Sequence, residues 1–534
     1  MRNFVKAVAM AAVATSAAFA AEKVDLDIIN KIRDEGFNHS QVMETLEHLT
    51  DTIGHRLTGS PSMLEANNWT KEKLTEWGLE NAHLEGFKFG PGWTMQNVEV
   101  YMAAPRRTQL YAIPIAWHPG TNGVVEAEVI HAPMASPDDF AEYKGKLKGK
   151  IVLVSDVPDQ REPSNKVFTK HNAKSLAGVE QYKILLEKPY KEIEGWVKRV
   201  SFKTKLEHFL AEEGAVALVR RSWRKSMLLE GLGYQHKPEF AATIPGIDLA
   251  YEHYTRAVRL LESGKTVKFS LKTEVTFHRD DLNSYSTFAE IPGKGRNPEI
   301  VMAGGHLDSW VAADGAVDNG AGVAVAMEAV RILKAIGVKP KRTIRVGLWS
   351  GEEQGYYGSF QYVIDHLATR PENTKGDLKY MEPYAKAYGQ FPIKVKAGHK
   401  RFSAYFNLDN GGGKIRGIYT QGNAAVAPIF KAWFAPFHDL GAKTISSNNT
   451  SGTDHEPFDE VGLPAFQFIQ DGLDYGSRLH HTQLDTFGNT YEKNLKQSAV
   501  IIASFLYNAA MRDEKLPRKP MPRPIAEDEE IEEK

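Results

Sequence analysis

The sequence predicts an α/β fold with a mostly parallel central sheet flanked by helices and interrupted by an inserted β-rich module. Three observations carry this. From about Asp280 onward, strand-like and helix-like segments alternate, which is the pattern of a parallel sheet with crossover helices. Between roughly Asn122 and Lys272 the character changes to short β-rich runs separated by long, polar, Lys-rich helical segments. At 534 residues the chain is also too long for one ordinary core, so a second unit or a large insertion is expected.

Residues 1–20 read as a signal peptide. Arg2 and Lys6 precede an apolar run from Ala7 to Phe19, which ends in the small residues Ala18-Phe19-Ala20 before Ala21. The run is shorter than the ~20 apolar residues of a spanning helix, and no later segment is long and apolar enough to span. The expected product is therefore exported, to the periplasm or the medium, with no membrane span after cleavage. Residues 21–121 form the first part of the main domain. The pattern there is mainly helical from Leu26 to about Trp93, with a loop HRLTGS at His55 to Ser60 and an amphipathic stretch from Ser62 to Trp77, and no chemistry is assigned to it. Residues 122–277 are the inserted module, with GKIVLVSD at Gly149 to Asp156 and GAVALVRR at Gly214 to Arg221 as β-rich runs. Residues 278–512 hold the candidate strands EIVMAGG, TIRVGLWS, FSAYFNLD and AFQFIQD. Val323, Met327, Val330 and Leu333 fall at helical spacing and predict a core-facing amphipathic helix over 321–336. The Pro-rich, charged tail 513–534 ends AEDEEIEEK and is expected to be disordered.

Composition narrows the chemistry. Lys+Arg at 66 against Asp+Glu at 67 leaves no global field to attract nucleic acid or a membrane surface, so the expected partner is small or a peptide. There is no cysteine, hence no disulfide and no thiolate ligand, and any metal must be held by His and carboxylates. A GxSxG elbow, a P-loop and an HExxH helix are all lacking, which weighs against serine-hydrolase, nucleotide-binding and single-zinc thermolysin-like chemistry.

Five windows remain: GGHLDSW, AVDNGAG, WSGEEQGYYGS, FNLDNGGG and RLHHTQLDT. Each places a metal-type side chain just after a strand-like segment or at the opening of a helix, where open parallel sheets bind ligands. The candidates are His306, Asp318, Glu353, Asp409 and His481, with His480 as an adjacent alternative and Asp314 as a rival to Asp318. Asp318 has a competing role as a helix N-cap. Asp308 projects to the same side as His306 in an extended segment, so it is expected to orient that imidazole; Asp485 is expected to orient the His480–His481 pair. Adjacent residues in a turn can point apart, so Glu353 is read as a ligand and Glu352 as a general base. Two divalent ions held this way imply hydrolysis, with zinc as first choice and manganese or cobalt also compatible with the donors.

HLDS, VDNGAG, SGEEQGYYGS, NLD and HHTQLDT resemble, in order, the motifs of metallopeptidase family 28, the co-catalytic zinc exopeptidases. SGTDHEPFDEVGLPAFQF and RLTGS are similar to further family segments. The resemblance implies the zinc exopeptidase fold with two Zn2+ per chain. His306 and Asp409 would hold one ion, Glu353 and His481 the other, with Asp318 bridging, Glu352 as general base and Asp308 orienting His306. The inserted module resembles a protease-associated domain. The long stretch between Glu353 and Asp409 departs from short family members and is read as a lid or a dimer surface, so a homodimer is one partner the sequence allows. The leading expectation is an aminopeptidase. A carboxypeptidase or dipeptidase of the same family is the alternative, and a glutaminyl cyclase or a non-catalytic peptidase-like binding protein is the alternative of a different class.

Overall fold

The computed structural model describes residues 22–159, 162, 166–183, 190–295 and 298–524. The expected signal peptide lies outside the described residues. Two eight-stranded sheets organise the rest.

The first sheet runs, edge to edge, through Glu80–Lys88, Asn283–Ile291, Thr343–Trp349, Ile300–His306, Phe402–Asn407, Ala465–Gln470, Ile415–Tyr419 and Thr444–Ser446. Its centre is parallel: Ile300–His306 pairs in that sense with Thr343–Trp349 and Phe402–Asn407, and the latter with Ala465–Gln470. These central strands are buried almost throughout, as expected of near-continuous apolar runs covered on both faces. All four correspond to the strands expected from sequence. The register sets His306 beside Trp349 and Gly304 beside Asn407, so the carboxyl ends of neighbouring strands open onto one rim.

Helix Ala321–Ala335 lies under this sheet and is buried on every face, not along one stripe. The helices Leu26–Asn38 and Glu492–Met511 cover the side that the amphipathic reading left to solvent. Two of its three charged residues, Glu328 and Arg331, pair there: Arg331 Nε lies 2.7 Å from Glu328 Oε2, and Arg331 Nη1 lies 2.7 Å from Glu35 Oε1. A buried guanidinium without such partners would cost several kcal/mol.

The second sheet is Thr108–Gln109, Gly92–Ala104, Lys268–His278, Val125–His131, Ile151–Leu153, Ala217–Arg221, Gly246–Leu249 and Ala112–Pro114. It reaches upstream of residue 122, because Gly92–Ala104 pairs along most of its length with Lys268–His278. The stretch to Trp93 is not helical to its end either, since Glu80–Lys88 is an edge strand of the first sheet. Helix Tyr190–Glu212 belongs to the second unit in sequence but packs through Ile193 and Val200 against Leu378, Met381 and Tyr384. The start of the tail is ordered, contrary to expectation: Leu516 is buried, and Arg518 donates to the carbonyls of His399 and Phe402 at 2.7 and 2.6 Å. Residues 525–534 lie outside the described residues.

Candidate metal centre

All five candidate ligands converge on the rim at the carboxyl ends of the central strands. His306 ends its strand, Glu353 follows Thr343–Trp349 in a tight turn, and Asp409 follows Phe402–Asn407. Asp318 lies in the turn that opens helix Ala321–Ala335, and His481 lies in the loop after Ala465–Gln470.

Asp318 faces two ways. Its Oδ1 is 3.3 Å from His306 Nε2, which is itself 3.4 Å from Asp409 Oδ1. Its Oδ2 is 3.2 Å from His481 Nε2, which is 3.0 Å from Glu353 Oε2. Two donor groups therefore share one carboxylate through different oxygens, and both a His306–Asp318–Asp409 set and an Asp318–His480–His481 set can hold a metal ion. His480 Nε2 also approaches Asp318 Oδ2, at 3.5 Å, but only His481 reaches Glu353 as well. The competing cap role is not what Asp318 does: the helix's N-cap position is Gly320, and it is Asn319 Oδ1 that accepts the first-turn N–H of Gly322 at 3.1 Å. Asp314 does not line the cavity over these groups; its carbonyl accepts from Arg56 Nη1 at 2.6 Å.

The donor set fits a divalent cation. Asp318 Oδ2, Glu353 Oε1 and Asp409 Oδ1 are buried without a hydrogen-bond partner, a costly arrangement for carboxylates unless a cation completes it. Burial, opposed by His481 and reinforced by Asp318, raises Glu353 to about 7. Burial also pushes Glu352 well above the usual carboxylate range, reinforced by Asp409, Glu353 and Asp454. Positive charge among these oxygens would reverse that crowding. Glu352 Oε2 is 4.0 Å from His306 Nε2 and lines the same cavity, while its carboxylate is not part of either group sharing Asp318.

Support for the donors differs in detail from the sequence reading. His306 Nδ1 is held by the backbone carbonyl of Asp308 at 2.9 Å; the Asp308 carboxylate is farther, at 3.6 Å. That carboxylate instead accepts the backbone N–H groups of Glu352 and Glu353, each at 3.3 Å, and the Thr58 hydroxyl at 3.0 Å. Asp308 thus fixes the ring through its main chain and the Glu352–Glu353 turn through its side chain. Asp485 accepts the N–H groups of Val317 and Asp318 at 2.5 and 3.0 Å, so it shapes the Asp318 turn and not the histidine pair.

Several supporting residues escaped the sequence reading. Trp310 Nε1 donates to Glu353 Oε2 at 2.7 Å, and its position in GGHLDSW was the available signal. Arg56 is fully buried and donates to the carbonyls of Leu49, Gly54, Leu307, Asp314 and Gly315, tying the RLTGS loop beneath the site. The segment that carried no assigned chemistry thereby supplies both Thr58 and Arg56.

A cavity of about 490 Å³ opens over the donors. Beyond the candidate ligands its wall includes Tyr234, Tyr356, Tyr384, Tyr475, Glu456 and Arg199. Arg199 comes from helix Tyr190–Glu212, and Tyr384 comes from the stretch between Glu353 and Asp409, so that stretch walls the cavity.

Residues 286–506 match the model of peptidase family M28, and that span contains every candidate ligand together with Asp308 and Glu352. The chain carries a peptidase family M28 domain. It is 27% identical over 477 residues to carboxypeptidase Q of Mus musculus, covering 89% of this chain and 87% of that protein. Solved structures share the fold. A peptidase M28 precursor from Shewanella amazonensis has a TM-score of 0.66 at 22% identity, covering 93% of this chain and 98% of that one. A zinc aminopeptidase from Bacillus subtilis has a TM-score of 0.57 at 19% identity, covering 88% and 95%. The proteins so matched are peptidases, hydrolases whose substrates are peptides. No helix among the described residues is long and apolar enough to cross a membrane.

Proposed function

We propose that this chain is an exported exopeptidase that uses two divalent cations, zinc by preference, to remove the amino-terminal residue of short peptides. The observation that carries the two-cation reading is the position of Asp318, with one oxygen toward His306 and Asp409 and the other toward His481 and Glu353. In this reading His306 and Asp409 hold one ion, Glu353 and His481 hold the other, and Asp318 serves both. Oxygen and imidazole donors of this kind suit zinc and also accept manganese or cobalt.

Bound cations would supply Lewis acidity, polarising the scissile carbonyl and making water more acidic. The protein groups do the rest. Glu352 takes a proton from the attacking water onto its carboxylate. As the C–N bond breaks, it gives that proton to the departing amine nitrogen. Asp308 keeps Glu352 and Glu353 pointing apart by gripping both of their N–H groups. Trp310 orients Glu353 through its indole N–H.

The charge of the wall supports attack at the amino end. Apart from the candidate ligands and Glu352, the carboxylate of Glu456 faces the cavity and favours an α-ammonium group, and Arg199 offers a guanidinium to the carboxylate of a short substrate. The likeness to carboxypeptidase Q favours a second reading, removal of the carboxyl-terminal residue. Product analysis separates the two. With free, N-acetylated and C-amidated tetrapeptides, the aminopeptidase reading requires that acetylation abolish cleavage and amidation spare it. The reverse pattern assigns a carboxypeptidase. Full activity after complete metal stripping would refute both.

A further inference from the structure

The loop that carries His480 and His481 is gripped by a part of the chain that supplies none of the candidate ligands. Arg224 follows strand Ala217–Arg221 of the second sheet and is buried. Its guanidinium donates to the carbonyls of Gly476 at 3.2 Å, Ser477 at 2.9 Å and His480 at 3.1 Å, while its Nε donates to Glu230 Oε1 at 3.1 Å. Glu230 is fixed in turn by the Trp223 indole N–H at 2.6 Å. Just beyond the histidines, Gln483 continues the grip: its Oε1 accepts the Leu229 N–H at 2.7 Å, and its Nε2 donates to the Met227 carbonyl at 2.8 Å. The earlier part of the loop is tied as well, since Thr169 and Leu473 exchange backbone hydrogen bonds at 2.7 Å.

These ties bracket a strained residue. His481 has φ +62°, in the left-handed region that a side chain with a Cβ enters only at a steric cost. Such a conformation persists when its surroundings over-determine it. Here the determination comes from outside the M28 match, because Arg224, Met227 and Leu229 precede residue 286. A planar guanidinium with donors in a fixed fork can hold several carbonyls in one mutual arrangement, which an ammonium cannot reproduce.

We propose that Arg224 is a positioning residue for one half of the two-cation centre. By fixing the carbonyls of Gly476, Ser477 and His480, it sets the backbone from which His481 reaches Asp318 and Glu353. The second sheet is then part of the metal site and not only a cover over it. This inference rests on the two-cation reading above.

The test is zinc titration of the metal-stripped full-length protein by calorimetry, comparing the wild type with Arg224→Met, Arg224→Lys and Gln483→Ala. Arg224→Met is expected to weaken one of two zinc sites by at least about tenfold and leave the other within about twofold, because support of a metal ligand typically carries 10–100-fold in affinity. Arg224→Lys should lie between it and the wild type. Gln483→Ala should weaken the same site to a lesser extent, and it carries the test alone if Arg224→Met does not fold. Two unchanged sites in the variants, or an equal loss at both, would overturn the proposal while leaving the two-cation reading intact. A wild type that binds fewer than two zinc ions would instead remove the reading on which it rests.

Discussion

The Trp310 indole N–H donates to Glu353 Oε2 at 2.7 Å, the same oxygen that His481 Nε2 approaches at 3.0 Å. The indole also meets the His481 ring edge-on, with centroids 6.2 Å apart. One side chain thus orients both donors on that side of Asp318. Trp310→Phe keeps an aromatic ring but deletes the donor, so zinc affinity at that site should fall about 10–100-fold, read by competition with a chromophoric chelator. An unchanged affinity would show that Glu353 is held by other means.

Glu352 is expected to separate metal binding from turnover. The Glu352→Gln variant should retain its full zinc content by elemental analysis while kcat falls about 10²–10⁴-fold, the usual contribution of a positioned proton carrier. Near-normal kcat would take the proton-transfer role away from this residue.

Arg199 gives a prediction about substrate length. It lines the cavity from helix Tyr190–Glu212 and is exposed there, so a short substrate with a free carboxylate can reach it. For Arg199→Ala, KM should rise about tenfold for dipeptides, in line with a charge-assisted hydrogen bond, and change little for the corresponding dipeptide amides. Equal effects on both substrates would refute carboxylate recognition by this side chain.

Gly322 tests the packing beneath the centre. A Cβ at this position would collide with the Leu408 carbonyl oxygen and with the Asn319 side chain, the pair whose 2.9 Å hydrogen bond ties the Asp318 turn to the strand end carrying Asp409. Gly322→Ala should therefore destabilise the protein by about 1–3 kcal/mol in urea unfolding, the usual cost of overpacking. It should also loosen zinc binding, whereas Gly337→Ala, where a Cβ meets nothing within 4 Å, should leave zinc binding intact.

The central strands could be read from sequence because strands covered on both faces appear as unbroken apolar runs, as in Phe402–Asn407. Glu80–Lys88 could not, because it is an edge strand in which only Phe87 is buried, and its polar residues imitate the preceding helical segment. Burial of helix Ala321–Ala335 on all sides was hidden for a related reason: the helices that cover it, Leu26–Asn38 and Glu492–Met511, lie far away in sequence. Motif order was enough to collect the donors, but not the atoms that support them. The step from His306 to Asp308 suggested carboxylate contact, yet the strand ends at His306 and the chain turns, so the carbonyl takes the imidazole and the carboxylate is free to hold the next turn. Arg224 gave no signal, since nothing in its own neighbourhood indicates that its partners lie some 250 positions onward.

The supports of the centre run from Arg56 and Thr58, through Asp308 and Trp310, to Asp485. A chain emerging during synthesis therefore has no complete site until its last such segment has appeared. A separable early domain would have no such delay, since domains generally fold as units while the chain is being made. The order in which these residues are encoded would itself keep a peptide-cleaving centre silent while the chain is unfinished.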